Sequence, residues 1–379
     1  MNRLFIIAGL VALTFVTPAQ IDSADIVKPI AKFLEPSFQK WANEVATLPA
    51  EKQVEAVAKK LQELNPAFDG EVNPRFENGI TDSLYFCTDE VNDVSPVRAI
   101  VGLKSIGCCG SPAIRKAKFS DLSPLQGMQL THVDCSWSQV SDLSPLRGMA
   151  IDTLWCSSTN VKDLSPLRGM PLTMLCCDGT PVSDLSPLSG MSLTDVMIDV
   201  TNVADLAPLK GMPLILLSCT LTHVADLAPL AGMRLNSLYF DHTPVADLTP
   251  LKGMPLTVLN CSDTRVADLS PLRGMPIGTL YCGGTRITDL TPISHTPMET
   301  LDCRDTPLSD LSPLKSMGLQ RLNCYGTAIT DLSPLATCTF LTSLNVKGTK
   351  VTAASVAALK QALPNCEIEW DDPAKPATK

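Results

Sequence analysis

The residues of this chain whose types could do chemistry stand in columns. Asp recurs at 121, 142, 163, 184, 205, 226, 247, 268, 289, 310 and 331, with Asp93 ahead of them, and Cys recurs at 135, 156, 177, 219, 261, 282, 303 and 324. Carboxylates in register could line cation sites, and thiols in an exported protein could pair as disulfides. The spacing argues against both. Calcium coils supply several oxygens each in a glycine-rich setting, whereas one acid recurs here, so each Asp is expected to accept hydrogen bonds from its own Ser-Pro-Leu turn. Cysteines stacked in one column have parallel Cβ vectors about 4.8 Å apart, where a bridge wants about 3.8 Å. They are expected to be buried free thiols that pack as small hydrophobes.

Other candidates are weaker. A Met column at 128, 149, 170, 191, 212, 233, 254, 275 and 317 reads as core filler rather than a soft-metal site. His132, His223, His242 and His295 fall in four different columns, none at metal-ligand spacing with Cys or another His, and read as surface residues. Cys176 is taken as the only cysteine in an outward strand column, and His132 lies two coils away, roughly 10 Å, too far for a thiolate dyad. No catalytic residue, metal site or cofactor is expected.

The elements that carry these columns follow from the 21-residue unit Asp163 to Ser183, DLSPLRGMPLTMLCCDGTPVS. A unit repeated at this period cannot bury its own apolar face, so neighbours must stack as a solenoid. Leu172, Leu175, Cys177 and Val182 hold the apolar positions, and the two-residue step from Leu175 to Cys177 is the alternation of a half-buried strand. The Leu175 column reads Val133, Leu154, Leu175, Val196, Leu217, Leu238, Leu259, Leu280, Leu301, Leu322 and Leu344 and must face inward. About thirteen parallel strands spaced about 4.8 Å would form an arc on the order of 60 Å long, a surface for a partner rather than a pocket. Pro in every Asp-Leu-Ser/Ala/Thr-Pro segment rules out an ordinary long helix on the other side, and a Gly such as Gly169 closes the turn in a left-handed conformation.

Through LxxLxCxxTxVxDLxPLxGM, repeated over roughly residues 80 to 370, the chain resembles the leucine-rich-repeat family, in particular its short-repeat, internalin-like bacterial type. The resemblance implies an α/β repeat solenoid: a right-handed arc with a parallel concave β-sheet, short non-helical convex turns and helical N- and C-terminal caps. Such proteins are binders as a rule. Two departures stand out. The third strand leucine is usually Cys, and the family's asparagine is replaced by Thr at 159, 180, 201, 222, 243, 264, 285, 306, 327 and 349, with Ser138 first, whose hydroxyls are expected to tie adjacent coils together. Similar bacterial arrays can be joined to a protein kinase domain, but the kinase signatures are absent here.

Residues 1–19 have the layout of a cleavable secretory signal, with Arg3 ahead of an apolar run too short to span a bilayer. Residues 20–79 are expected to form a helical N-terminal cap region, 80–351 the array, 352–370 the C-terminal cap and 371–379 a disordered tail. The segment Gly110 to Ser120, basic through Arg115, Lys116 and Lys118, reads as an insertion loop. The excess of 39 acids over 30 bases argues against a nucleic-acid partner.

The outward strand columns hold Trp155, Tyr239, Tyr281 and Tyr325, and aromatics exposed on a sheet are typical recognition anchors. Charge separates along the same columns. Asp134, Asp178, Asp195, Asp199 and Asp241 come first, then Arg304, Arg321 and Lys347 with only Asp302 against them. The reading is an exported, monomeric, non-catalytic scaffold that binds a protein or glycan on its concave face. Its site is expected to straddle Tyr239 to Tyr325, with Arg304 and Arg321 pairing acidic groups of the ligand. The alternative is a structural envelope component that assembles laterally through its convex ridges.

Overall fold

A computed structural model describes residues 32–113 and 117–372. The signal-like segment 1–19 and the tail beyond 372 lie outside the described residues, as do Arg115 and Lys116.

Among the described residues two amphipathic helices, α1 (Pro36–Ala46) and α2 (Ala50–Leu64), precede strands β1 (Asn73–Glu77), β2 (Ile80–Cys87) and β3 (Ser105–Cys109). Eleven three-residue strands follow: β4 (His132–Asp134), β5 (Thr153–Trp155), β6 (Met174–Cys176), β7 (Asp195–Met197), β8 (Leu216–Ser218), β9 (Ser237–Tyr239), β10 (Val258–Asn260), β11 (Thr279–Tyr281), β12 (Thr300–Asp302), β13 (Arg321–Asn323) and β14 (Ser343–Asn345). Helix α3 (Ala353–Ala362) and strand β15 (Glu367–Glu369) close the array. The strands form one 15-stranded sheet in sequence order, parallel from β2 onward. Only β1 is antiparallel, in a hairpin with β2.

Inside each coil the core is built by the predicted columns. Leu172, Leu175, Cys177, Val182, Leu185 and Leu188 are fully buried or nearly so, and the equivalents in other coils form one continuous apolar core. Met170 and its column mates are buried beside them, apart from the partly buried Met128. The convex side of each coil is a single 3₁₀ turn such as Ser165–Leu167. Pro166 fits there because the second residue of so short a turn has no intrahelical bond to lose. Gly169, at φ 71°, then lets the Met170 N–H reach the Leu167 carbonyl at 3.0 Å.

The Asp column behaves as capping chemistry demands. In Asp163, Oδ1 accepts from the Ser165 N–H at 2.8 Å and Oδ2 from its hydroxyl at 2.9 Å, and the pattern repeats at Asp142, Asp184, Asp268 and Asp331. The Thr column differs from expectation. Thr180 Oγ1 donates to the Cys177 carbonyl at 2.6 Å, three residues back in its own coil, as does each of its equivalents. A hydroxyl on Cβ is too short to reach the next coil, so it closes the local turn instead. Coils are tied by backbone, as in Asn160 N–H to the Val140 carbonyl at 2.8 Å.

The N-terminal cap is held by a buried polar residue. Asn65, at the end of α2, donates to the carbonyls of Leu61 and Asp93, each at 2.9 Å, and accepts from the N–H groups of Asn92 and Asp93 at 2.9 and 3.0 Å. All four of its hydrogen-bonding positions are filled, which makes it specific for this docking. At the other end, Thr352 and Ser355 form a capping box that starts α3, and Val356 and Leu359 face the core.

Candidate partner-binding face

Parallel register converts sequence columns into rows that run across the sheet. One row reads Tyr85, Gly107, Asp134, Trp155, Cys176, Met197, Ser218, Tyr239, Asn260, Tyr281, Asp302, Asn323, Asn345 and Glu369, each residue the partner of the next. These side chains point away from the buried column at every strand, so the row is the spine of the concave face.

The predicted site residues divide into two groups on it. Tyr239 and Tyr281 are half-buried, with Asn260 between them, and Tyr325 is 44% exposed two residues past β13. Arg304 lies over Gly283: a Cβ there would stand 2.7 Å from the arginine Cγ. Arg304 follows Asp302, the register partner of Tyr281, and the Gly284 N–H bonds the Arg304 carbonyl at 2.8 Å. Arg321 is exposed at the start of β13. Trp155 stands apart, four strands or roughly 20 Å from Tyr239.

The basic end is partly offset. Arg304 Nη1 lies 3.6 Å from Asp302 Oδ2, and Lys347 is bonded to Glu369 at 2.8 Å. The second pairing could not be counted from the repeats because Glu369 belongs to the closing strand β15.

The acidic end is a hydrogen-bonded ladder. Asp178 accepts from the Asp199 N–H at 2.8 Å and the Cys176 thiol at 3.0 Å, and Asp199 accepts from the Ser218 hydroxyl at 2.6 Å and the Thr220 N–H at 2.7 Å. Asp241 accepts from Thr220 Oγ1 and Asn260 Nδ2, each at 2.8 Å. Burial pushes the Asp199 carboxyl above the usual carboxylate range, and the neighbouring Asp178 adds to the rise, against the bonds from Ser218 and Thr220.

Reasoning from the repeats missed three residues here. Tyr85, 38% exposed, Cys87 and Cys109 all sit in outward columns, so Cys176 is not the only outward cysteine. Their coils lack the regular motif, which hid the register. Cys176 is also less available than its column suggested: burial pushes its thiol up to about 12, despite a bond from Ser157 that lowers it. His132 is not an isolated surface residue but packs between Tyr85 and Trp155. Among the described residues no group of three or more His, Cys, Asp or Glu is arranged to hold a metal ion.

A structure of an internalin (inlF) from Listeria monocytogenes aligns with 87% of this chain and 95% of its own length, at TM-score 0.64 and 20% identity. The chain has the leucine-rich-repeat fold of the internalins. A second Listeria monocytogenes neighbour, the functional domain of InlJ, aligns over 87% of this chain and 70% of its own at TM-score 0.59 and 19% identity, and it is described as including a cysteine ladder. The plant peptide hormone receptor RGFR1, solved in complex with RGF2, covers 74% of this chain and 50% of its own at TM-score 0.58 and 12% identity. No protein-family model and no curated protein matches the sequence. On this internalin-type frame the buried cysteines share one column that Ile198 and Phe240 interrupt, with Cys261, Cys282, Cys303 and Cys324 in successive coils, the Cys303 and Cys324 sulfurs 3.5 Å apart and both thiols free.

Proposed function

We propose that the protein is an exported, monomeric binding scaffold that recognises a protein on its concave face and carries out no catalysis. The observation that carries this reading is the single outward row, in which large aromatic side chains recur on one uninterrupted sheet where most neighbours are small or polar. Rigid aromatics set in a polar surround are the composition of interaction hot spots. The contact is centred on Tyr239, Tyr281 and Tyr325, with Arg304 and Arg321 pairing acidic groups of the partner. RGFR1, which shares the repeat fold, was solved with the ligand RGF2, and this supports a peptide or protein as the ligand class ahead of a glycan. Export rests on the signal-like segment 1–19, and no helix among the described residues is long and apolar enough to cross a membrane.

Capture from the native envelope and culture supernatant supplies the partner, and paired variants then test the site. Tyr281→Ala with Arg304→Ala should weaken binding at least about tenfold, the scale of two interface anchors. The convex pair Arg168→Ala with Lys252→Ala should leave it unchanged. Binding lost in the convex pair and kept in the concave pair would favour lateral assembly through the ridges.

A further inference from the structure

The N-terminal third of the sheet carries a second site, built from parts that no repeat column places together. Tyr85, Gly107, Asp134 and Trp155 are successive register partners across β2, β3, β4 and β5. Gly107 leaves room for the Tyr85 ring to lie across β3, since a Cβ on Gly107 would stand 2.1 Å from the ring. Ser105 holds the tyrosine hydroxyl at 2.7 Å, and the ring centroid lies 6.5 Å from that of His132. On the far side Trp155 meets His132 edge-on at 5.2 Å, and its indole N–H reaches Met174 Sδ at 3.3 Å. Both outer rings are thereby fixed, yet Tyr85 and Trp155 remain 38% and 39% exposed.

Asp134 stands between them. One of its oxygens accepts the Ser136 N–H at 2.9 Å, and among the described residues neither a lysine nor an arginine pairs with it. Asp152, exposed just ahead of β5, adds a second carboxylate near His132. Burial holds the His132 imidazole below its ordinary value, although Asp134 and Asp152 draw it upward, so at neutral pH it is a ring and not a competing cation. No lysine or arginine occupies an outward strand position from Ser83 until Arg304.

We infer that Tyr85, Asp134 and Trp155 form a cation-binding platform that takes a lysine or arginine side chain from a basic segment of a protein partner. An ammonium or guanidinium is attracted both to the face of a tryptophan or tyrosine and to a carboxylate, and its alkyl stem packs on the same rings. The Asp178, Asp195, Asp199 and Asp241 side chains farther along the sheet outnumber the exposed Arg75 and Lys104 at the platform's edge, and this excess of negative charge steers a basic segment toward it. A neutral glycan could stack on these rings but would gain nothing from that field. The inference shares with the proposed function only the concave face, and it stands or falls independently of the tyrosine patch.

The test is calorimetric titration of the full chain with hexalysine, with its fully Nε-acetylated form and with chitohexaose. Asp134→Asn removes the charge while keeping the turn, because Asn260, Asn323 and Asn345 already accept the corresponding N–H bond in the same row. Hexalysine should bind and its acetylated form should not. Asp134→Asn and Trp155→Ala should each weaken binding about tenfold, while Glu51→Gln, which removes an exposed carboxylate from α2, should change it less than about twofold. Equal binding of the acetylated peptide, no effect of the two platform variants, or binding of chitohexaose in place of hexalysine would overturn the assignment.

Discussion

At the scale of the residue, the cysteines show how one side-chain type takes two roles by position. Column members such as Cys135, Cys177 and Cys219 are wholly enclosed, and burial drives their thiols far above the ordinary range, while Cys261 is pushed up to about 12. In native protein, alkylation should therefore mark Cys87 first, Cys109 and Cys176 slowly, and the column only after unfolding, as peptide mass mapping would show. A group whose folded pKa is raised contributes stability that is complete below its unfolded value and is lost as pH rises. The thiols ionise in the unfolded chain above about pH 8.5, so each buried one should cost about 1.4 kcal/mol per pH unit beyond that. Melting temperature measured from pH 8 to 10 should fall steeply, and substitution of Cys219 by Ala should blunt the slope. Backbone strain is also visible residue by residue. Val200 sits at φ 55° where Gly179 and Gly284 fill the same place in other coils. Val200→Gly should raise stability by about 1 kcal/mol in chemical denaturation, since a β-branched side chain is costly there and Val200 is 55% exposed.

At the scale of the element, the turn and the cap decide whether a coil forms. Hydrogen bonds from the turn hold the carboxyls of Asp163, Asp247, Asp268, Asp289, Asp310 and Asp331 below the usual range. A depressed carboxyl contributes stability above its unfolded pKa of about 3.9 that disappears as pH falls through the folded value. Acid denaturation should thus begin below about pH 4, while chelation of divalent cations should leave melting unchanged at neutral pH. Asn65→Ala would remove the acceptor of the part-buried Asn92 and Asp93 N–H groups, at about 0.5 to 1.5 kcal/mol for each lost bond. Protection of α1 and α2 against hydrogen exchange should drop before that of the central strands. The strands and turns were legible because the step from Leu175 to Cys177 and the Pro-Gly punctuation repeat with the period. Strand β1 was not, because Asn73–Glu77 is polar, mostly exposed and contains Pro74. Tyr85 escaped for a related reason: β2 and β3 have strand alternation but no regular motif to count from, so their outward columns emerge only from the register with β4.

At the scale of the whole molecule, the solenoid gives one long face with two chemically distinct ends. Its first strands present Tyr85, Trp155 and carboxylates, and its later strands present Tyr281, Tyr325 and arginines, with Arg304 and Lys347 partly offset by Asp302 and Glu369. Repetition made the existence of this face readable, but where its anchors cluster depends on which coil each aromatic occupies and on what lies beside it. Partners should bind this face rather than the convex ridges. Hydroxyl-radical footprinting of the chain with and without its captured partner measures that directly, side chain by side chain. Tyr281, Tyr325 and Met197 on the concave face should lose reactivity on binding, whereas Arg168, Met128 and His295, off the strand row, should be unchanged. Protection confined to the latter group, with the concave face still fully reactive, would place the partner on the convex side instead.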